Sequence, residues 1–119
     1  MDISREYIKM CHEAKEIQKL WKFSKRSSGD WYFNIPLNAV YTVSGSDQKD
    51  KDCIWIPRQD QLQKMLKSRY TTLEEIWKYF AFQFYPVELD SFEKLWIAFV
   101  MKKKHNKTWD GEQWKVCEQ

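Results

Sequence analysis

An unbroken run of seven apolar residues, Leu95–Met101, constrains the fold of this chain more than any other feature. Asp90 and Glu93, before the run, have the spacing of a capping box at a helix N-terminus, and Lys102–His105 follow it with cations that favour a helix C-terminus. The pattern predicts a helix from Ser91 to about Lys104. A helix that is apolar on nearly every side must be enclosed by its own domain, and this run is far shorter than the ~20 residues that cross a bilayer.

The length and composition are those of one ordinary domain. The chain has 119 residues, of which 17% are aromatic and 31% are charged, so it can bury a large aromatic core. Cys11, Cys53 and Cys117 are odd in number and form no CxxC pair, and the first residues are polar. We therefore expect a single cytoplasmic domain, residues 1–119, with no disulfide framework and no membrane segment.

The first half of the chain predicts one helix and then a sheet. Ser4 is a suitable cap for an amphipathic helix that ends near Phe23. Its apolar stripe comprises Tyr7, Met10, Cys11, Ala14, Ile17 and Trp21. Three strands follow, at 31–35, 39–43 and 53–56, and in the first of them Trp31, Phe33 and Ile35 alternate with Tyr32 and Asn34 as in a half-buried strand. Residues 44–52 contain nothing to bury and are expected to form a loop.

The second half predicts helices and a small hairpin. Asp60–Gln63 and Thr72–Glu75 have capping-box spacing, which indicates a short helix and a longer one that ends before Pro86. Asp110-Gly111 favours a two-residue hairpin turn. The predicted fold is α+β: an N-terminal helix, a three-stranded antiparallel meander, three further helices packed on the sheet and a small C-terminal hairpin.

The sequence shows no arrangement of residues typical of catalysis or cofactor binding. It has three glycines in all, so it lacks a glycine-rich turn for phosphate, and no serine has GxSxG framing. The cysteines and histidines are not spaced like metal ligands. We expect no cofactor, no metal and no enzymatic activity. An enzyme of another type would need carboxylates or a histidine gathered in one cleft with displaced pKa values.

One segment has the composition of a recognition surface. The candidate partner-binding residues are Trp55, Arg58, Gln59, Asp60 and Gln61. They place hydrogen-bonding side chains beside an aromatic ring, where a strand joins a helix. A helix cap and turn explain the same residues without any partner.

Two basic clusters suggest nucleic-acid binding as the alternative function. The candidate contacts are Lys22, Lys25, Arg26, Lys102, Lys103 and Lys104, with Lys107 beside the second cluster. The first cluster flanks a sheet that carries Tyr32 and Tyr41, whose rings can stack on bases. The net charge of +3 permits such contact without requiring it. Lysines at a helix C-terminus also offset the helix dipole, so a structural role explains the second cluster equally well.

Three pieces of the sequence together resemble a known group of proteins. They are Glu16-Ile17-Gln18 with Trp21 and Gly29-Asp30-Trp31; the stretch Trp55–Gln63; and Leu95–Met101 running on to Asn106-Lys107, Trp109-Asp110-Gly111-Glu112 and Trp114. The chain resembles short uncharacterised proteins encoded in bacteriophage and prophage regions, which have no assigned activity. The resemblance covers most of the chain except Pro36–Asp52, and it implies a genomic setting without a chemistry.

These observations favour a non-catalytic accessory domain that binds another protein, as a monomer or a homodimer. The chain has more aromatic residues than a small core strictly needs, and we expect the surplus to form an interface.

Overall fold

The computed structural model describes residues 1–23, 29–43, 52–66 and 88–117, together with Glu74, Glu75 and Lys78, and describes only the backbone of Lys22 and Phe23. The elements are α1 (Arg5–Glu13), α2 (Lys15–Phe23), β1 (Trp31–Asn34), β2 (Ala39–Thr42), β3 (Cys53–Ile56), α3 (Gln59–Lys64), α4 (Phe92–His105), β4 (Lys107–Trp109) and β5 (Trp114–Val116). Residues 44–51 of the loop predicted at 44–52, and the predicted helix before Pro86 apart from three of its residues, lie outside this description.

The predicted N-terminal helix is two helices, α1 and α2. Ser4 caps α1 as predicted, and its side chain accepts a hydrogen bond from the N–H of Tyr7. Ala14, with φ −82° and ψ 75°, leaves the helical region and separates the two helices. The predicted apolar stripe is nevertheless confirmed, because every one of its six residues is buried.

Side chains compensate for the break between α1 and α2. A helix end leaves carbonyl groups without a helical N–H partner. Gln18 Nε2 donates to the carbonyl of Cys11 at 3.0 Å, and Lys15 Nζ donates to that of His12 at 2.9 Å. Since neither glycine nor proline marks the break, the sequence pattern alone does not indicate it.

The sheet is antiparallel as predicted, but its strand order is β2-β1-β3, so the prediction of a meander is wrong. Tyr32 in the central strand lies opposite Tyr41 of β2 and opposite Trp55 of β3. α1 and α2 both pack against β3, which is buried along its whole length, whereas β2 is partly exposed. The most apolar strand therefore lies at the edge of the sheet that α1 and α2 cover.

The alternation predicted for β1 has the opposite phase. Tyr32 is buried, while Trp31 and Phe33 are half-buried and Ile35 is exposed. Tyr32 is enclosed because its neighbours on the same face are large rings from both flanking strands. Tyr41 stacks on it with a centroid distance of 5.9 Å.

An aromatic row crosses this face of the sheet. The cross-strand register aligns Tyr41, Tyr32 and Trp55, and Trp21 of α2 closes the row by stacking on Trp55 with an interplanar angle of 8°. Aromatic rings at these spacings bury large areas and add about 0.5–1.5 kcal/mol per pair. The row therefore fixes α2 against the sheet.

Helices α3 and α4 pack chiefly on each other, and α4 also contacts α1 and β4. Among the described helices, the chief contacts with the sheet are thus made by α1 and α2, not by helices that follow it as predicted. Arg58, not Asp60, caps α3, and Ser91, not Asp90, caps α4. Ser91 Oγ accepts a hydrogen bond from the N–H of Lys94 at 3.2 Å.

The predicted core helix is confirmed. Six of the seven residues of the apolar run, Trp96 through Met101, are buried on all sides of α4. No helix among the described ranges is long and apolar enough to span a bilayer.

The C-terminal hairpin forms as predicted, but its turn is longer than two residues. Asp110 Oδ1 accepts hydrogen bonds from the N–H groups of Glu112 and Gln113, and Gly111 adopts φ 105°. The indole N–H of Trp114 donates to the carbonyl of Met10 at 2.9 Å, which attaches the hairpin to α1.

Candidate functional site

Trp55 lies beneath the candidate partner-binding segment and not on its surface. Its side chain is stacked on Trp21, and only 6% of the residue is exposed. Its indole Nε1 is buried without a hydrogen-bond partner in the described part of the chain. The expectation that this ring is presented to a partner is therefore corrected, because α2 covers it. The ring supports the segment from inside.

The buried carboxylate of Asp30 holds the rest of this segment together. Asp30 Oδ1 accepts from Gln61 Nε2 at 2.9 Å, and Oδ2 accepts from the indole Nε1 of Trp21 at 3.2 Å. Only 5% of Asp30 is exposed. A buried carboxylate is stable when hydrogen bonds satisfy its oxygens, so these donors make Asp30 a structural hub.

The half-exposed side chain of Arg58 lies between the carboxylate of Asp30 and the solvent. Its guanidinium donates to the carbonyl of Gly29 at 3.0 Å and lies 3.8 Å from Asp30 Oδ1. It also donates from Nε to Asp60 Oδ1 at 3.0 Å, and this hydrogen bond lowers the pKa of Asp60. The candidate segment is thus a rigid, half-exposed surface, in which Gln59 is half-buried and Asp60 is exposed.

Two of the three pieces of sequence that carry the resemblance are joined by these contacts. Gln18 bonds to the backbone of Trp55, Trp21 bonds to Asp30, and Asp30 bonds to Gln61. Sequence reasoning singled out the pieces but missed Gln18 and Asp30 as their connections. A polar residue at a position of the apolar helical stripe, four residues after Ala14 and three before Trp21, is the signal that could have identified Gln18.

Of the two basic clusters, the structure describes the side chains of the second only. Lys25 and Arg26 lie outside the described residues, and so does the side chain of Lys22. In the second cluster, Lys102 bonds to Asn106 Oδ1 and Lys104 bonds to the carbonyl of Met65.

Acidic residues neutralise other members of the second cluster. Lys103 forms an ion pair with Glu75, and Lys107 forms one with Glu16. A phosphate backbone would have to compete with these carboxylates. Nucleic-acid binding through these residues stays a prediction.

An open cleft of about 330 Å³ lies where the N-termini of α1 and α4 meet. It is lined by Met1, Asp2, Ser4, Asp90, Ser91, Glu93 and Lys94. Lys94 is buried and forms ion pairs with Asp90 at 2.5 Å and with Asp2 at 3.9 Å.

The charge arrangement of the cleft suits a structural clamp. Burial raises the pKa of Asp2, but hydrogen bonds from Ser4 and Ser91, with the charge of Lys94, outweigh this effect and leave the pKa lowered. A carboxylate with a lowered pKa is a weak proton acceptor near neutral pH. Asp2 therefore acts as a fixed anion that links the N-termini of α1 and α4.

The buried thiol of Cys11 offers little reactivity. Burial raises the pKa of Cys11 well above its ordinary range, and its thiolate is accordingly disfavoured. No three histidine, cysteine or acidic side chains in the described ranges are grouped to hold a metal ion.

The outer edge of β2 is an exposed feature that sequence reasoning did not identify. Three exposed apolar side chains lie on the β1–β2 hairpin: Ile35 is 46% exposed, Leu37 is 63% exposed and Tyr41 is 42% exposed. Among the described strands, β1 is the only one that pairs with β2. Alternate backbone N–H and C=O groups of β2 therefore point away from the sheet.

At the opposite edge of the sheet, a side chain covers the outward backbone groups of Trp55. Gln18 Oε1 accepts from the N–H of Trp55, and Gln18 Nε2 donates to its carbonyl, both at 2.9 Å. One side-chain amide thus occupies the place of a neighbouring strand on β3. The described structure protects one edge of its sheet and leaves hydrogen-bonding groups available at the other.

Comparison with known proteins finds no family profile, no curated protein and no solved structure that matches this chain.

Proposed function

We propose that this protein is a non-catalytic interaction domain that binds another protein chain along the β2 edge. The observation that carries the proposal is the difference between the two edges of the sheet. Gln18 pairs with the outward backbone groups of Trp55 in β3, whereas the outer backbone of β2 lies beside the exposed side chains of Leu37 and Tyr41.

An edge of this kind favours strand addition. Proteins commonly block an exposed edge with lysine, proline or a covering element, because its free N–H and C=O groups bind other strands. β2 reads Ala39-Val40-Tyr41-Thr42 and contains neither a charge nor a proline. In strand addition, main-chain hydrogen bonds supply affinity and neighbouring side chains supply specificity.

The surface of Arg58, Gln59, Asp60 and Gln61 remains a candidate second contact region. Arg58 and Asp60 already satisfy each other, so a partner would have to replace their hydrogen bonds. A phage or prophage setting, implied by the sequence resemblance, stays part of the prediction.

Capture of a cellular partner by matched leucine variants tests the proposal. Leu37→Asp places a charge beside the β2 edge. Leu20→Asp is the matched control, because Leu20 is also an exposed leucine, 50% exposed, but lies on α2. We expect Leu37→Asp to lose the captured protein and Leu20→Asp to retain it. In the purified complex, hydrogen exchange of the Val40 and Thr42 amides should slow.

Equal capture by both leucine variants would contradict the proposed surface. Unchanged exchange of the Val40 and Thr42 amides in the complex would contradict strand addition, even if Leu37 were required for binding.

A further inference from the structure

We propose that the strand that binds to the β2 edge is β2 of a second copy of this chain, antiparallel and related by a two-fold axis at Tyr41. The inference rests on the proposed function and specifies its partner. It would join two three-stranded sheets into one continuous sheet across the dimer.

The ladder between β1 and β2 determines which groups are free. Val43 donates its N–H to the carbonyl of Asp30 on the β1 side, and the pairs of an antiparallel ladder alternate along each strand. Tyr41 therefore directs its N–H and C=O toward β1, opposite Tyr32. Val40 and Thr42 direct theirs outward.

The outward groups are symmetric about Tyr41, and this symmetry selects the register. If Tyr41 lies opposite Tyr41 of the second copy, Val40 lies opposite Thr42 of that copy, and Thr42 opposite its Val40. Every outward N–H and C=O of these residues in both copies is then paired. Centring the pairing on Val40 would instead place Thr42 opposite Asn38, which has φ 51° and is outside the strand.

The side chains are compatible with this self-pairing. No charge lies on β2, so no like charges meet across the two-fold axis. Tyr41 is 42% exposed and stacks on Tyr32 with its other side. In the dimer, the Tyr41 side chains of the two copies would meet at the two-fold axis. The aromatic row would then run without interruption from Trp55 of one copy to Trp55 of the other.

Such an interface is small. Two four-residue strands with few side chains around them bury less than the roughly 1,000 Å² that is typical of a stable complex. The expected dimer is therefore weak and dissociates on dilution.

Disulfide trapping tests the register directly. Directly opposed residues of a non-hydrogen-bonded antiparallel pair have Cα atoms ~4.5 Å apart, which a disulfide can bridge. Tyr41→Cys, in a background with Cys117→Ser to remove the half-exposed thiol, should form a covalent dimer on mild oxidation. Position 37 is more exposed than position 41, but no cysteine of the second copy would lie opposite it in this register. Leu37→Cys should therefore form the covalent dimer more slowly than Tyr41→Cys.

Sedimentation equilibrium with two variants of Thr42 tests the hydrogen bonds. Thr42 is exposed, so Thr42→Pro removes an outward N–H at little cost in packing, and Thr42→Ala keeps the N–H. Thr42→Pro should weaken dimerisation by roughly tenfold or more, because it removes one hydrogen bond from each half of the interface. Thr42→Ala should dimerise like the unaltered protein.

The inference would be overturned if the protein stayed monomeric up to about 1 mM. It would also be overturned if both Thr42 variants dimerised equally, or if Leu37→Cys formed the covalent dimer faster than Tyr41→Cys. If Thr42→Pro does not fold, the disulfide experiment decides. Failure of dimerisation with continued Leu37-dependent capture of another protein would remove the second copy as the partner and leave the proposed function standing.

Discussion

The side-chain amide of Gln18 pairs with the backbone of Trp55 through both of its polar atoms, each at 2.9 Å. The same Nε2 also donates to the carbonyl of Cys11, where α1 ends. One buried amide therefore completes a helix end and a strand edge at once.

Replacing Gln18 with alanine should be strongly destabilising. The change leaves the buried backbone N–H and C=O of Trp55 without partners, and each unsatisfied group costs about 1–3 kcal/mol. We expect a loss of about 2–4 kcal/mol in the free energy of unfolding, measured by urea denaturation. Lys19→Ala, at an exposed neighbouring position, is the control and should change stability by less than about 0.5 kcal/mol. Similar urea midpoints for Gln18→Ala and Lys19→Ala would mean that the Gln18 amide contributes little to the stability of the fold.

Asp30→Ala should loosen the candidate binding segment without changing any of its exposed residues. It leaves the indole N–H of Trp21 and the amide of Gln61 without their acceptor, so we expect a loss of about 2–4 kcal/mol. Urea denaturation followed by the intrinsic tryptophan fluorescence of the protein provides the measurement. Asp60→Ala removes only a surface ion pair with Arg58 and should cost less than about 1 kcal/mol. The prediction fails if Asp60→Ala lowers the free energy of unfolding as much as Asp30→Ala does.

Asp2 should make stability depend on acid pH. Its pKa in the folded protein lies below the ordinary value of 3.8, so folding favours the ionised carboxylate. The resulting stabilisation is complete above that ordinary value and is lost as the pH falls through the lower folded pKa.

Comparing the unaltered protein with Asp2→Asn isolates this contribution, because other acids are common to both. We expect the difference in their urea midpoints to be constant near neutral pH and to shrink below about pH 4. A difference that stays constant throughout the acid range would show that the charge of Asp2 does not stabilise the fold.

Two phenylalanines on α4 provide a test of the enclosed core helix. Phe99 is 2% exposed and makes an edge contact with Trp96, whereas Phe92 is 67% exposed. Phe99→Ala should reduce the free energy of unfolding by about 3–5 kcal/mol, because the surrounding side chains cannot fill the space. Phe92→Ala should cost less than about 0.5 kcal/mol, and thermal melts of the two variants supply the comparison.

The sequence predicted elements whose signal is local. The ends of β3 are marked by a polar loop and by Pro57, and the enclosure of α4 follows from an apolar run that leaves no polar face. The break at Ala14 could not be predicted, because it depends on a side chain, Gln18, whose other partners are on a distant strand. The strand order could not be predicted either, since it depends on which strand the helices cover.

The candidate site was predicted only in part for the same reason. The segment from Arg58 to Gln61 was identified from its composition. Asp30 and Gln18, which connect it to the rest of the domain, act through contacts between residues far apart in the chain, and local spacing carries no information about them.

The attachment of the C-terminal hairpin to α1 has a consequence for how the protein is made. The indole of Trp114 bonds to a carbonyl 104 residues earlier, and that of Trp109 bonds to Glu6 across 103 residues. During synthesis, α1 must wait until Trp109 and Trp114 have emerged from the ribosome before it can form these hydrogen bonds. We therefore expect a ribosome-bound nascent chain that stops before Lys107 to remain sensitive to protease, and the domain to acquire its native structure late and in a single step.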